Sequence, residues 1–399
     1  VGNLALVGDR VSSAVVAALR LYDQTSGELR RVDIRPRMSV YVCGITPYDS
    51  SHLGHAFTYV HFDVLVRYLR HLGAEVVHVQ NVTDVDDDIL RVSRERGIDF
   101  RDLAEREVAS FEVNMRAIGV TPPTHAPRAT EFVPQMVEEV RALLDAGHGY
   151  ERNGTVYFDV SSDPGYGRLS GYSRGEMLRL AGERGGHPED PAKDDPLDFV
   201  LWQAWQEGEP WWDSPWGRGR PGWHIECSTM ARRLLGQPVD VHGGGSDLNF
   251  PHHESELAQA EGVPGPRPFV RHWVHTGTVH TAGDKMSKSL GNLAFVDDLI
   301  ERHPPRALRA FLLRHHYRQD WEFREEALQA GTAGGSVDPA DGDPTSIDQA
   351  AERAAFFTAL DTDLDTPLAM QILDSAAASN DPERKALAAE GAALLGLDL

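Results

Sequence analysis

The stretch from Ser39 to Val82 constrains the fold more than any other part of this chain. Residues 39–45, Ser-Val-Tyr-Val-Cys-Gly-Ile, read as a strand, and a turn follows through Thr46, Pro47, Tyr48 and Asp49. Val60, Val64, Leu65, Tyr68 and Leu69 then recur at helical spacing until Gly73 stops the helix. The next run, Glu75-Val-Val-His-Val-Gln-Asn-Val, reads as a second strand. Strand, helix and strand in this order make a βαβ unit, which implies a parallel sheet with a ligand site at the carboxyl ends of its strands. The expected fold class is therefore α/β, built on a Rossmann-like parallel sheet.

The 399 residues suffice for a catalytic domain and a smaller appendage. Residues 95–150 read as helical, interrupted at Pro122 and Pro123, and are expected to form an insertion between the halves of the sheet. Residues 183–222 are rich in Gly, Pro and Trp and suggest ordered loops. Val239-Asp-Val-His runs as a further strand into Gly243-Gly-Gly, and a helix holding Glu254 to Glu261 follows. The expected division is a catalytic domain over 1–292, a helical stem-contact region over 293–330, a flexible linker over 331–346 and a helical bundle over 347–399.

Lys and Arg number 39 against 61 Asp and Glu, for a formal net charge of −22. Nucleic-acid binding draws on phosphate neutralisation, so this balance argues against a large RNA footprint while leaving a local basic patch open. The sequence has no run of roughly 18 apolar residues and no basic start followed by an apolar core, so a cytoplasmic protein without membrane contact is expected. A monomer is expected too. A disulfide between the two cysteines, Cys43 and Cys227, would be unusual in that compartment.

Three groups of residues carry chemistry. Ser51-His52-Leu53-Gly54-His55 lies at a strand-to-helix turn, where histidines can donate hydrogen bonds to phosphates gathered at a helix N-terminus. Lys285-Met-Ser-Lys288-Ser, flanked by Gly283 and Gly291, can close over a nucleotide and neutralise a leaving pyrophosphate. Either string alone is weak, but together, in this order and spacing, they resemble the paired nucleotide-handling signatures of the class I synthetases, which implies ATP-dependent adenylate formation. The third group is Cys43 at a strand end, Cys227 at a helix start, and His252 and Glu256, four apart on one helical face. Two thiols, an imidazole and a carboxylate make a plausible zinc set, although dispersed spacing does not establish one, and a His-His-Glu string is more often a solvated helix start. Zinc would serve a cysteine substrate well, because thiolate binds it far better than a serine hydroxyl does.

These motifs resemble those of the cysteinyl-tRNA synthetases and of the mycothiol cysteine ligases similar to them, within the class I synthetases. The resemblance runs from Leu21-Tyr-Asp through Asn81-Val-Thr-Asp-Val-Asp-Asp, Pro196-Leu-Asp-Phe-Val-Leu-Trp and Gly219-Arg-Pro-Gly-Trp-His-Ile-Glu-Cys to Leu364-Asp-Thr-Pro. Cys43-Gly-Ile-Thr-Pro-Tyr-Asp and Glu183-Arg-Gly-Gly-His-Pro look like the ligase, with His187 departing from its usual Asp. The chain also stops about where the ligases do, at Leu-Leu-Gly-Leu-Asp-Leu. Glu256, His242 and Pro196-Leu-Asp-Phe-Val-Leu-Trp look like the synthetase.

The resemblance implies a class I synthetase catalytic domain that activates L-cysteine with ATP and Mg2+ and passes it to an amine. Glucosaminyl-inositol is the first choice of acceptor; tRNA or another amine stays open, as does a non-catalytic sensor of cysteine or nucleotide. It also implies that Cys43, Cys227 and His252 hold Zn2+, with Glu256 a possible fourth ligand. Thr46, Thr58 and Trp223 should surround the cysteinyl group, Cys43, Gly44 and Ile45 should bind the substrate or its adenylate, and Asn81, Val82 and Thr83 should lie on a ligand-facing loop. Gly245, Ser246 and Asp247 should receive adenosine, and the Val279 backbone should line the adenine pocket. His52 and His55 should contact phosphates while Lys285 and Lys288 stabilise the transition state. Asp84, Asp86, Asp87 and Asp88 read as a solvated acidic turn rather than a metal site.

Overall fold

The computed structural model describes residues 19–281, 284–285, 293–331 and 349–398. A hairpin of β1 (Arg20–Asp23) and β2 (Glu28–Arg31) comes first. β3 (Arg37–Ile45), helix α1 (Leu53–His71) and β4 (Glu75–Val82) then form the βαβ unit, with β3 and β4 parallel. Leu53, Phe57, Val60, Val64 and Tyr68 recur every three or four residues along α1 and are buried. β4 is buried from Val76 onward, as expected of a strand covered on both faces.

The long segment after β4 carries α2 (Asp87–Arg96), α3 (Phe100–Ala117) and α4 (Val133–Asp145). It continues into an antiparallel sheet of β5 (Gly149–Arg152), β6 (Thr155–Phe158), β7 (Phe199–Ala204) and β8 (Gly219–Pro221), with α5 (Arg174–Glu183) before β7. The stretch 183–222 is thus not all loop, since it supplies two strands of this sheet. The chain returns to the parallel sheet through α6 (Trp223–Leu235), β9 (Val239–Gly245), α7 (Glu254–Gly262) and β10 (Val270–Thr276), giving the order β10-β9-β3-β4. The glycine triplet belongs to β9. A Cβ on Gly243 would lie 1.9 Å from the Val274 carbonyl oxygen, so only glycine lets β9 pass β10 there.

β11 (Val279–Thr281) pairs with β12 (Asp284–Lys285) and with β13 (Trp321–Glu322). α8 (Val296–Arg302) and α9 (Pro305–Leu313) lie between these strands, and α10 (Glu325–Ala330) ends at Gly331 with φ +68°. The remainder of the linker expected over 331–346 lies outside the described residues. α11 (Gln349–Asp361), α12 (Thr366–Ala378) and α13 (Pro382–Leu394) pack together and against α1 and α9. Arg309 of α9, fully buried, donates to Asp63 of α1 at 2.5 Å and to the Leu395 carbonyl at 2.7 Å.

Alternation along β3 decides what faces the site. Val40 and Val42 join the apolar cluster with α1 and the C-terminal helices, whereas Tyr41 and Cys43 join the cluster with α4, α6 and α7. Cys43 therefore lies on the same side of the sheet as Cys227, His252 and Glu256. The β3–β4 register shifts between Val42 and Ile45, an irregularity of the kind that re-aims side chains beside sites.

Candidate functional site

A cleft of 1230 Å³ opens at the carboxyl ends of β3, β4 and β9. It is lined by Cys43, Gly44, Ile45, Thr46, His52, His55, Thr58, Asn81, Thr83, Trp223, Cys227, Gly245, Ser246, Asp247, His252 and Val279. Sixteen of the sequence-derived positions thus share one cavity. Val82 and Glu256 do not line it: Val82 packs into the core, and Glu256 is fully buried behind the wall. The Lys285 backbone pairs with His280 on β11, the strand whose Val279 borders the cleft. Lys288, Gly283 and Gly291 lie outside the described residues.

Local hydrogen bonds hold the walls. The Gly44 N–H donates to Asn81 Oδ1 at 2.8 Å, and Asn81 Nδ2 donates to Thr83 Oγ1 at 3.2 Å. The Thr58 and Thr276 hydroxyls lie 2.7 Å apart, and the Tyr59 hydroxyl donates to the Cys43 carbonyl at 3.2 Å. His52 occupies the N-cap position of α1, and its ring stacks on His55 with centroids 3.8 Å apart. Two imidazoles at the start of a 19-residue helix sit where its dipole favours negative charge, an arrangement able to stabilise an anionic oxygen.

A buried cluster of metal-binding type borders the same cleft. The ligand atoms of Cys43, Cys227, His252 and Glu256 all fall within 4.8 Å of one another. Cys43 Sγ lies 3.4 Å and His252 Nε2 3.2 Å from Glu256 Oε1. The ligand atoms of Cys43, His242, His253 and Glu256 also lie within 4.8 Å of one another. The first set is the better candidate, because Cys43, Cys227 and His252 border the cleft whereas His242 and His253 lie beneath it. Burial pushes both thiols above their ordinary range, each further affected by the other, and holds His252 and His253 well below theirs. Buried thiols and neutral imidazoles with Glu256 Oε2 lacking a hydrogen-bond partner fit a cation, which would draw off the thiol protons.

Sequence reasoning missed several residues. His224 Nδ1 lies 3.0 Å from His252 Nδ1, and His253 Nδ1 lies 2.7 Å from His275 Nε2, so further imidazoles buttress the cluster. Arg184 donates to the carbonyl oxygens of Asp247 and Phe250, tying the 183–187 loop to the expected adenosine loop. The acidic turn is not simply solvated. Asp84 accepts from the Thr130 N–H and hydroxyl, Asp86 caps α2 by accepting from the Ile89 N–H, and Asp87 pairs with the buried Arg220. The His-Ile-Glu-Cys and Glu-Arg-Gly-Gly strings held His224 and Arg184 in plain view, but nothing local assigned them contacts.

A four-stranded parallel sheet, the His52–His55 motif at its carboxyl edge and helices on both faces define a class I synthetase catalytic domain. Residues 31–333 match the family model of the tRNA synthetases class I (C) catalytic domain, and the chain belongs to that family. It is 47% identical over 89% of its length to an L-cysteine:1D-myo-inositol 2-amino-2-deoxy-alpha-D-glucopyranoside ligase of Thermomonospora curvata, covering 86% of that protein. It is 44% identical over 96% of its length to the ligase of the same name from Streptosporangium roseum, covering 97% of it. A cysteine–tRNA ligase of Syntrophobacter fumaroxidans is 46% identical over 84% of the chain, which covers 72% of that protein. Among solved structures, Mycobacterium tuberculosis methionyl-tRNA synthetase in complex with methionyl-adenylate shares the fold at TM-score 0.59 and 17% identity, over 90% of this chain and 89% of the other.

Proposed function

We propose that this chain activates L-cysteine with ATP to cysteinyl-adenylate and transfers the cysteinyl group to the amine of glucosaminyl-inositol, forming an amide. One observation carries the reading: the Cys43–Cys227–His252 wall and the His52–His55 helix start border the same cleft. The substrate thiol end and its carboxylate end are thereby both served within one cavity. A zinc ion held by Cys43, Cys227, His252 and Glu256 would select the thiol of cysteine against the hydroxyl of serine.

The residues of the chain do the rest. Trp223, stacked on His252 with centroids 4.3 Å apart, closes the pocket around the cysteinyl side chain. Asn81 and Thr83 orient the backbone at Gly44. Gly245 lets the adenosine approach the backbone, and Asp247 accepts from ribose hydroxyls. His52 and His55 donate to the phosphates, Lys285 and Lys288 neutralise the leaving pyrophosphate, and magnesium arrives with ATP.

The small-amine acceptor is supported by two facts. The 183–188 stretch that resembles the ligases contributes Arg184, Gly185, Gly186 and His187 to this cleft. Six relatives at 43–47% identity bear the ligase name. A tRNA acceptor is the second reading, favoured by the 46%-identical cysteine–tRNA ligase. The deciding experiment incubates enzyme, ATP and cysteine with glucosaminyl-inositol or tRNA separately and follows the acceptor by mass spectrometry. Cysteinylated glucosaminyl-inositol is expected; charged tRNA with no amide product overturns the reading.

A further inference from the structure

We propose that Asp86 is the general base of the transfer half-reaction, its Oδ2 taking the proton of the acceptor amine as that nitrogen attacks the cysteinyl carbonyl. This rests on the amide-forming reading above. An amine that attacks an acyl-adenylate must be neutral, and its nitrogen must shed a proton as the amide forms. The N–C bond forms, the bond between the carbonyl carbon and the adenylate oxygen breaks, and AMP leaves with the electron pair. The proton passes to the Asp86 carboxylate and then to water.

Asp86 lines the cleft at the N-cap of α2. Its Oδ1 is committed to the Ile89 N–H at 2.9 Å, whereas Oδ2 meets the Thr46 hydroxyl at the long distance of 3.4 Å. Thr46 follows the strand end that carries Cys43, so this oxygen borders the space assigned to the cysteinyl group. Four other carboxylates on the wall have closer partners than Oδ2 does. Asp198 accepts from the Val160 N–H and the Tyr150 hydroxyl, and Asp190 accepts from the Ala192 N–H and the Tyr157 hydroxyl. Asp87 pairs with Arg220, and Asp88 pairs with Arg91 at 2.7 Å. The cleft histidine His224 is locked against His252, and burial holds it down at about 3.

The surroundings of Asp86 suit a base working near neutrality. Burial, followed by the Asp88 and Asp87 charges, pushes its carboxyl up to about 7 against the Ile89 hydrogen bond and the Arg220 charge. Glu226 of α6 also faces it, with a carboxyl pushed well up by burial and then by Asp86, and Tyr48 lies on the loop side. A base with its pKa near the working pH combines a useful ionised fraction with useful driving force.

The test uses Asp86→Asn in the full-length enzyme, because Asn caps a helix about as well as Asp. Cysteine-dependent ATP–pyrophosphate exchange should stay close to wild type. Single-turnover transfer from preformed cysteinyl-adenylate to glucosaminyl-inositol should fall by about 10²–10⁴-fold and lose its inflection near neutral pH. Transfer to hydroxylamine, a weakly basic amine whose attached nitrogen loses its proton readily to water, should fall far less. Wild-type transfer by the variant, or an equal loss with hydroxylamine, overturns the proposal. So does a raised KM for cysteine in exchange, which would make Asp86 an anchor for the substrate ammonium. A wild-type enzyme that exchanges pyrophosphate but makes no amide removes the acceptor reading and this proposal together.

Discussion

His224 Nδ1 lies 3.0 Å from His252 Nδ1, and both rings are buried. One nitrogen must donate and the other accept. With His252 Nε2 turned to the thiol and carboxylate cluster as a lone pair, Nδ1–H of His252 donates to His224, which fixes both tautomer and ring orientation. Loss of such a partner typically costs 10–100-fold in metal affinity. His224→Phe should therefore lose zinc to a chelator about 10–100-fold more readily while keeping its fold, and His224→Gln should recover part of the difference. Equal zinc retention in His224→Phe would show that packing alone orients His252.

Arg184 bridges two carbonyl oxygens, those of Asp247 and Phe250, from a loop more than sixty residues away in sequence. Its guanidinium is partly exposed, so solvent screening leaves only part of the strength of a charge-assisted hydrogen bond. Arg184→Ala should raise KM for ATP in pyrophosphate exchange about tenfold, or 1.4 kcal/mol, with little change in KM for cysteine. Arg184→Lys, which offers a point charge and no fork, should recover only part of this. Parallel rises in both KM values would count against a role confined to the adenosine loop.

Gly44 shows how tightly the first strand pair is made. A Cβ there would lie 1.5 Å from the Asn81 carbonyl oxygen, a backbone atom that cannot swing away. Gly44→Ala must part β3 from β4 beside Cys43 and break the Gly44–Asn81 hydrogen bond. A loss of about 3 kcal/mol or more in urea unfolding is expected, with pyrophosphate exchange abolished. Wild-type stability in this variant would mean that the two strands can separate locally at little cost.

The parts legible in the sequence are those with short-range signals. The periodicity of α1 between two apolar strands gave the βαβ unit, and intact strings marked most residues of the cleft. β7 and β8 escaped because their composition imitates a loop. Gly219 is needed where a Cβ would meet the Gln203 carbonyl oxygen at 2.2 Å, and Trp202 is a core residue. Arg184, His224 and Asp86 were visible as letters but not as roles. Each acquires its contacts when α2, the 183–187 loop, α6 and the 247–252 segment converge, and no local spacing encodes that convergence. The same holds for His242 and His253, whose approach to Cys43 at 3.6 and 3.3 Å needs the parallel sheet to bring β9 and α7 against β3.

His78 on β4 offers a test of the buried histidines away from the cleft. It is 5% exposed, and its Nε2 has no hydrogen-bond partner. Burial holds it down at about 4, with the Asp63 charge opposing and the Arg70 charge adding to the effect. In the unfolded chain the same ring titrates near 6.5. Between these values the unfolded state binds the proton and the folded state does not, so stability falls as the pH drops from about 6.5 to about 4. Above the unfolded value both rings are neutral and the stability is complete. The depression corresponds to on the order of 3 kcal/mol for this one residue, added to similar losses from other buried histidines. Urea unfolding at neutral pH and again near the folded pKa should show a smaller acid-induced loss for His78→Gln than for wild type. An identical loss in the two proteins would mean that His78 takes up its proton inside the folded state.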